Sequence, residues 1–390
     1  MEKIRDLKAR EILDSRGDPT VEVELQTENH IRSIASAPSG ASVGAFEAVE
    51  LRDNDPNRFG GKGVLKALKG INETIKPALL GQDVQNQESI DQLMIELDGT
   101  PHKSNLGSNA ILAVSEAVCK AAAASTREHL YRYIQKLTSS TGPKLPRPMF
   151  NFIEGGKHAD NNLEVQEFLV VPNESKFSDN LRYASEKFGM LKKILKNLGI
   201  GLSVGHEGGF APNLSNEEDA LKLLQKLDGI HLAVDFAGAV PKALPLDTLA
   251  TNYPVISFED PAAEDDWGVW KQITQKFGAK MMIVGDDLYS SSAERLKKGV
   301  AEKTSNAVII KPNQIGTISE VLAFVKLARE SGQKLIVSHR SGETEDTFIA
   351  DFAVGVAAEF AKFGAPSRGE RISKYNRLLR IEEEIGQDGQ

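Results

Sequence analysis

Three short apolar stretches, each ending in an acidic residue, decide the fold of this chain: residues 231–235 (HLAVD), 255–259 (VISFE) and 281–286 (MMIVGD). Apolar runs of this length, without polar alternation, are typical of strands in a buried parallel sheet. Segments with helical spacing lie between such runs, as at residues 221–227, where leucines recur every three residues. This alternation of strand and helix predicts repeated βα units.

The same kind of apolar run recurs through the second part of the chain. Eight runs are found, at Met149–Ile153, Phe168–Val171, Leu202–Val204, Leu232–Val234, Val255–Phe258, Met281–Val284, Ala307–Ile310 and Leu335–Val337. Eight strands alternating with helices predict an α/β fold of the (β/α)₈ barrel type, whose active sites lie at the carboxyl ends of the strands. Too little chain separates the first two runs for a helix, so we expect the barrel to begin irregularly.

The first part of the chain follows a different pattern. Three strands are predicted at residues 3–13, 19–27 and 30–37. Apolar and polar residues alternate at 21–25 (VEVEL), as in a half-exposed antiparallel strand, and helical spacing follows. The polar stretch at 139–146 (SSTGPKLP) is the best candidate for a linker. We therefore expect a small α+β domain at residues 1–138 and a barrel domain at residues 139–390.

The composition of the chain excludes several classes of protein. The chain has 390 residues, of which 40% are hydrophobic and 26% charged, which excludes a disordered or collagen-like chain. Its formal net charge of −8 disfavours nonspecific nucleic-acid binding, because that binding needs lysine and arginine to neutralise phosphates. No nucleic-acid partner is expected.

The sequence also predicts a cytoplasmic location. No run approaches the length of about 18 apolar residues that indicates a membrane span, and residues 1–16 lack the apolar core of a secretory signal. The single cysteine, Cys119, has no partner for an internal disulfide and lies in an apolar helical pattern, which predicts a buried, unreactive thiol. These features fit a reducing compartment.

Acidic residues end three successive strands of the predicted barrel: Asp235, Glu259 and Asp286. A carboxylate after a strand often caps the next helix, and this is the alternative for each residue alone. A set of caps would also include serine, threonine and asparagine, however. Three carboxylates from adjacent strands offer hard oxygen ligands to one cation, which suits Mg²⁺ better than Zn²⁺.

Other residues at the strand ends suggest acid–base chemistry. Lys311 follows the run Ala307–Ile310, and a cation beside it would lower the pKa of its amine, so that it could act as a base. Glu167 and Glu207 are candidates for a carboxyl pair that shares one proton, which keeps an acid available. The alternative for Lys311 is an amine that extends to solvent.

Positive charge at the predicted barrel mouth indicates an anionic substrate. His339-Arg340-Ser341 and Lys362 supply cations and hydrogen-bond donors. Base, acid, metal and anion-binding groups together suggest proton abstraction next to a carboxylate, with loss of a leaving group. A bound metal would stabilise the negative charge of the enolate.

Several motifs then resemble those of the enolases (phosphopyruvate hydratases), over almost the whole chain. The matching stretches are residues 14–23, 38–44, 155–162, 166–168, 259–261, 285–288, 311–317, 338–347 and 378–384. The stretch at 338–347 (SHRSGETEDT) is the most specific of them. The resemblance implies reversible dehydration of 2-phosphoglycerate, a phosphorylated carboxylate, to phosphoenolpyruvate in glycolysis and gluconeogenesis, and it implies a homodimer.

The resemblance also implies roles for single residues. Asp235, Glu259 and Asp286 would bind a first Mg²⁺, and Ser42 would contact a second Mg²⁺ that arrives with the substrate. Lys311 would be the base and Glu207 the acid. Glu167 would assist the acid, and His158 and His339 would line the pocket. Arg340 and Ser341 would bind the phosphate of the substrate. Lys362 would bind the substrate carboxylate, and Gln166 would also contact the substrate.

Three departures from the enolase pattern lie close to these residues. His206 stands where the family usually has aspartate, and Glu154 stands where it usually has asparagine. Between Asp235 and Tyr253 much of a long mobile loop is missing. Two alternatives follow: a divergent paralogue that acts on a related phosphate- or phosphonate-bearing acid, and a noncatalytic enolase-like binding protein.

A third alternative is a serine hydrolase. Residues 40–44 (GASVG) match the G-x-S-x-G pattern of a nucleophile elbow around Ser42. That hypothesis places the nucleophile outside the barrel and leaves the acidic strand ends unexplained.

Overall fold

The computed structural model describes residues 1–41, 44, 46–138 and 142–388. Its chain divides into two compact units. The first unit comprises Met1–Lys144, Lys311–Lys326 and Arg340–Ala357, and the second comprises Leu145–Ile310, Leu327–His339 and Ala358–Gln390. The first unit therefore also includes two segments from later in the chain.

The strands fall into two sheets, one in each unit. In the first unit they are β1 (Ile4–Leu13), β2 (Pro19–Thr27) and β3 (Arg32–Ser36). In the second unit they are β4 (Arg147–Glu154), β5 (Glu167–Val171), β6 (His231–Asp235), β7 (Val255–Glu259), β8 (Met282–Gly285), β9 (Ala307–Ile310), β10 (Lys334–Ser338) and β11 (Phe360–Lys362).

The helices follow the predicted alternation in the second part of the chain. They are α1 (Leu65–Gly70), α2 (Lys76–Leu79), α3 (Gln87–Asp98), α4 (Ser108–Ser125), α5 (Leu130–Thr138), α6 (Phe177–Asn197), α7 (Glu217–Gln225), α8 (Leu246–Asn252), α9 (Trp267–Phe277), α10 (Ala293–Glu302), α11 (Ile318–Glu330), α12 (Phe348–Gly355) and α13 (Gly369–Asp388). A π-helical segment, Ile71–Ile75, joins α1 to α2. In the described part of the chain, no helix is both long enough and apolar enough to cross a membrane.

The small sheet has the order β1-β2-β3 and is antiparallel throughout. The alternating residues at 21–25 form the predicted half-exposed strand, in which Val21, Val23 and Leu25 are fully buried on one face. On the other face Arg10 donates to Glu22 at 2.6 Å and to Glu24 at 2.5 Å. The α+β fold predicted for the start of the chain is confirmed.

The second sheet closes into a barrel with the order β10-β11-β4-β5-β6-β7-β8-β9. Apolar side chains such as Leu169, Val284 and Ile309 fill its core. The predicted barrel is confirmed, and its irregular beginning takes a definite form: β5 runs antiparallel to both β4 and β6, while every other neighbouring pair is parallel.

One predicted strand was wrong and one strand was missed. Leu202–Val204 forms only an isolated bridge between Val204 and Phe210, and Val204 is 47% exposed, so this run belongs to a loop. The eighth strand is β11, which has only three residues and ends in a lysine. An apolar pattern could not indicate so short a strand, because it is the pairing with β10 and β4 that makes it one.

Candidate active site

Four acidic residues lie side by side across four neighbouring barrel strands. Glu154, Asp235 and Glu259 are the last residues of β4, β6 and β7. Glu167 is the first residue of β5, and because β5 is antiparallel its start lies opposite Glu154 on one side and Asp235 on the other. Asp235 in turn lies opposite Glu259. We call these four residues the acidic row.

Lys362, the last residue of β11, contacts three members of the acidic row. Its Nζ lies 3.0 Å from Glu167 Oε2, 3.1 Å from Asp235 Oδ2 and 2.8 Å from Glu259 Oε1. Burial disfavours charge on this amine, but the surrounding carboxylates outweigh burial and hold the pKa of Lys362 well above its usual value. The lysine is therefore a fixed positive charge within the barrel.

The donor chemistry of this region fits a divalent cation. Within the described residues, Oε2 of Glu259 is buried and has no hydrogen-bond partner. Burial, together with the charge of Asp235, raises the pKa of the Glu259 carboxyl well above its usual value. A cation at this oxygen would supply the opposite charge that the buried carboxylate needs, and carboxylate oxygens are the ligands that Mg²⁺ prefers.

Asp286 lies in a second acidic group directly after β8. Ligand atoms of Asp260, Asp286 and Asp287 lie within 4.8 Å of one another. The side chain of Asp260 accepts the N–H groups of Asp286 at 3.0 Å and Asp287 at 2.8 Å, which fixes the start of this loop. Of the predicted metal ligands, Asp235 and Glu259 thus share a contact with Lys362, whereas Asp286 groups with Asp260 and Asp287.

The helix-cap alternative for these carboxylates does not agree with the structure. The side chains that accept a hydrogen bond at the starts of α9 and α10 are Asp266 and Ser292, and α8 begins after Pro245 without a side-chain cap. No side-chain cap of these three helices is therefore supplied by Asp235, Glu259 or Asp286.

His158 joins the two glutamates of the predicted acid pair. Its Nδ1 lies 3.3 Å from Glu167 Oε1 and 3.5 Å from Glu207 Oε1, and the three side chains are buried. Burial opposes protonation of His158, but the charges of Glu207 and Glu167 raise its pKa to about 9. A protonated imidazole therefore lies against both carboxyl groups at neutral pH.

The two glutamates differ in their affinity for a proton. Burial and the neighbouring Glu207 raise the pKa of Glu167. For Glu207, burial is outweighed by His339, whose Nε2 lies 3.0 Å away, and by His158, so that the pKa of Glu207 is well below its usual value. Asn151 Nδ2 also donates to Glu207, at 3.1 Å. The pair can hold one proton, and in this arrangement Glu167 is the better holder.

Glu154 shapes the loop that carries Glu207. Its carboxyl oxygens accept the N–H groups of Glu207 at 3.1 Å and Gly209 at 2.5 Å. Burial and the nearby Glu207 raise its pKa to about 8. The loop comes so close that a Cβ on Gly205 would lie 2.1 Å from Glu154 Oε2.

The predicted phosphate-binding residues lie in the first unit. Arg340 is buried, and its Nη1 donates to Glu47 at 2.8 Å and to Asn313 at 3.0 Å. Ser341 Oγ lies 3.4 Å from Arg16 Nη1. These contacts hold Arg340 and Ser341 in a network of charged and polar side chains.

The other predicted site residues are placed as follows. Lys311 directly follows β9 and is half-buried, at the start of a short 3₁₀ turn over Pro312–Gln314. Gln166 Nε2 lies 3.3 Å from Asp235 Oδ2. Ser42, predicted for the second Mg²⁺ and for the hydrolase alternative, lies outside the described residues.

Sequence reasoning missed two buried residues at the site, Asn151 and Arg371. Asn151 is the one polar residue within the apolar run Met149–Ile153, which is a usable signal for a functional side chain in a strand. Arg371 lies in the first turn of α13, donates to His206 O at 3.1 Å and contacts His339. No spacing in the sequence connects it with either residue.

Comparison with known protein families gives matches over nearly the whole chain. The enolase N-terminal domain matches residues 4–134. The enolase C-terminal TIM barrel domain matches in two segments, residues 143–245 and 243–390, which overlap at residues 243–245. Together with the closed barrel and its acidic row, these matches show that the chain belongs to the enolase superfamily.

Proposed function

We propose that this protein is a Mg²⁺-dependent lyase that catalyses the reversible dehydration of 2-phosphoglycerate to phosphoenolpyruvate. The observation that carries the proposal is the acidic row with Lys362 in contact with three of its members, in a chain that matches both enolase domains. The family domains support a lyase-type enzyme, and the reaction itself is our proposal.

In this proposal Asp235, Glu259 and Asp286 hold one Mg²⁺, and Ser42 contacts a second. When bound, the cations neutralise the substrate carboxylate and the negative charge of the enolate. The buried, partnerless oxygen of Glu259 supports this assignment. Lys362 is a further positive charge at the row and would bind the substrate carboxylate, with Gln166 beside Asp235 as a neutral donor.

Proton transfer on the leaving-group side is assigned to Glu207, with Glu167 assisting. The acid must carry a proton when the hydroxyl group leaves, and one proton shared between Glu167 and Glu207 meets this need. Because the pKa of Glu167 is raised and that of Glu207 is lowered, Glu167 is the better holder of a shared proton before substrate binds. The imidazole of His158, close to both carboxyl groups, offers a path between them.

The proposed base is Lys311. It removes the proton next to the substrate carboxylate, as its position directly after β9 and its counterpart in the family motif at 311–317 suggest. Arg340 and Ser341 are the proposed phosphate-binding residues, with His339 in the pocket. The resemblance further implies a cytoplasmic location and a homodimer. A sedimentation measurement on the purified protein would test the homodimer.

The proposal is tested by adding 2-phosphoglycerate and Mg²⁺ to the purified protein and following the ultraviolet absorbance of phosphoenolpyruvate. We expect product with Mg²⁺, none after chelation, and recovery when Mg²⁺ is restored. Lys311→Ala should abolish turnover. Absence of product at every Mg²⁺ concentration would overturn the assignment, and a fully active Lys311→Ala variant would overturn the proposed base.

The same assay addresses the alternatives. Turnover of a related phosphate- or phosphonate-bearing acid, but not of 2-phosphoglycerate, would identify a divergent paralogue. The family matches and the geometry do not favour a noncatalytic binding protein. A hydrolase would depend on Ser42 without requiring Mg²⁺.

A further inference from the structure

We infer that Arg371 is a positioning residue: it fixes the tautomer of His339, and through His339 it holds Glu207 as a hydrogen-bond acceptor. Arg371, His339 and Glu207 all belong to the second unit and are almost fully buried. The geometric part of this inference stands on their contacts alone. Its kinetic consequence rests on the proposed function.

The tautomer follows from the donor and acceptor chemistry of the three side chains. Arg371 Nη1 lies 2.6 Å from His339 Nδ1. A guanidinium group has only donors, so Nδ1 must be the acceptor and carries no proton. The single proton of the neutral imidazole is then on Nε2, which lies 3.0 Å from Glu207 Oε2. His339 is thereby a donor to Glu207.

This arrangement divides the two oxygens of Glu207 between different partners. Oε2 lies 3.0 Å from Nε2 of His339 and accepts a hydrogen bond from Asn151 at 3.1 Å, while Oε1 faces His158 at 3.5 Å. An oxygen with two donors is a poor site for a proton. A proton that reaches Glu207 must therefore arrive at Oε1, on the side of His158 and Glu167.

The surrounding backbone is shaped for Arg371. Its Nη2 donates to the carbonyl oxygen of His206, the residue before Glu207. Gly364, with a φ of +89°, leaves room for both side chains because it has no Cβ. A Cβ there would lie 2.8 Å from Arg371 Cδ and 3.1 Å from His339 Cε1. One guanidinium thus contacts both the imidazole and the loop that carries Glu207.

The tautomer can be measured directly. We would label the histidines with ¹⁵N and record long-range ¹H–¹⁵N correlations at pH 7.5, with chelator and with Mg²⁺. Among the seven histidines of the chain, His339 is assigned by the loss of its signals in His339→Gln. The expected result is an unprotonated, pyridine-type Nδ1 and a protonated, pyrrole-type Nε2. A protonated Nδ1 in the parent protein would overturn the inference, whatever the variants do.

Variants test the role of the arginine itself. Arg371→Met keeps volume but removes the donors, and it should release His339 from the single tautomer. With 2-phosphoglycerate it should lower kcat by about 10- to 100-fold, the range usual for a residue that orients a functional group, with a smaller change in KM. Arg371→Lys, which keeps a donor and the charge, should recover part of both effects, as should added guanidinium.

Arg377→Met is the matched control, because Arg377 lies on the same helix and pairs with Glu384 at 2.8 Å instead. It should leave the His339 signals and kcat unchanged. A parent spectrum with the expected tautomer but no turnover would overturn the proposed function and keep the geometric inference. Turnover that is normal in Arg371→Met, with the tautomer unaltered, would overturn the inference and keep the function.

Discussion

At the scale of single residues, Lys362 is the positive charge on which the barrel's buried carboxylates depend. Three of these carboxylates lie within 3.1 Å of its amine. Removing one partner of a buried ionic group leaves uncompensated charge, which costs far more than the loss of a surface pair. The lysine is thus expected to serve stability and substrate binding together.

Lys362→Met should therefore lower the free energy of unfolding by about 3 to 5 kcal/mol, as for other broken buried ion pairs. The measurement is urea unfolding in the presence of chelator. Added Mg²⁺ should restore part of the loss, because the cation compensates the same carboxylates. Lys222→Met, which removes only exposed pairs with Glu218 and Asp219, serves as the control and should change little. Equal stability of the two variants would contradict this view of Lys362.

His158 should make stability depend on pH. The pKa of its imidazole is raised from 6.5 to about 9 by the adjacent glutamates, against the opposing effect of burial. A raised histidine pKa stabilises the folded state fully below the unfolded pKa, and this contribution is lost as pH rises through the folded pKa.

The free energy of unfolding should thus fall between pH 6.5 and 9, by at most about 3 kcal/mol for a shift of this size. Urea unfolding with chelator across this range measures the slope. His158→Gln should flatten it. A slope that is unchanged in the variant would show that another group titrates there.

At the scale of elements, the strand ends could be predicted and their pairing could not. Asp235 and Glu259 end strands in the sequence as they do in the structure. Glu167, however, reaches the same end of the barrel only because β5 is antiparallel, and no pattern within Phe168–Val171 indicates strand direction. Strand β11 was missed because three residues cannot show a period.

The loop at 205–209 is an element whose backbone lies very close to the side chain of Glu154. A Cβ on Gly205 would lie 2.1 Å from Glu154 Oε2 and 2.7 Å from the carbonyl oxygen of His158. Gly205→Ala should therefore displace Glu207, lower kcat at least about 10-fold and reduce stability by roughly 1 to 3 kcal/mol, as overpacking does. The assay with 2-phosphoglycerate and urea unfolding measure both effects.

Gly201→Ala is the matched control for this loop variant. A Cβ on Gly201 meets no atom within 4 Å, so both activity and stability should stay close to those of the parent. If Gly205→Ala behaved like Gly201→Ala, the close approach of the loop to Glu154 would not matter for the position of Glu207.

At the scale of the whole molecule, the candidate site gathers residues that are far apart in the chain. Asn151, Glu207, His339 and Arg371 form one hydrogen-bonded group in the second unit, although 220 positions separate the first from the last. Acidic and basic residue types at strand ends indicated metal and acid–base chemistry. The partners that set the pKa values could not be predicted, because they come from a helix and from the interior of a strand.

Metal binding should stabilise the whole chain through the buried carboxylates. A ligand that binds only the folded state adds about 2.7 kcal/mol when its concentration is 100 times its Kd. We expect the thermal midpoint to rise steadily with Mg²⁺ concentration and to fall again with chelator, measured by calorimetry on the full chain.

Asp286→Asn should weaken this dependence of the thermal midpoint on Mg²⁺, because it removes a proposed ligand. Asp247→Asn, which alters only an exposed carboxylate paired with Lys276, should leave it intact. A thermal midpoint that does not change with Mg²⁺ in the parent protein, or that changes equally in both variants, would contradict the assignment of Asp286 to the metal.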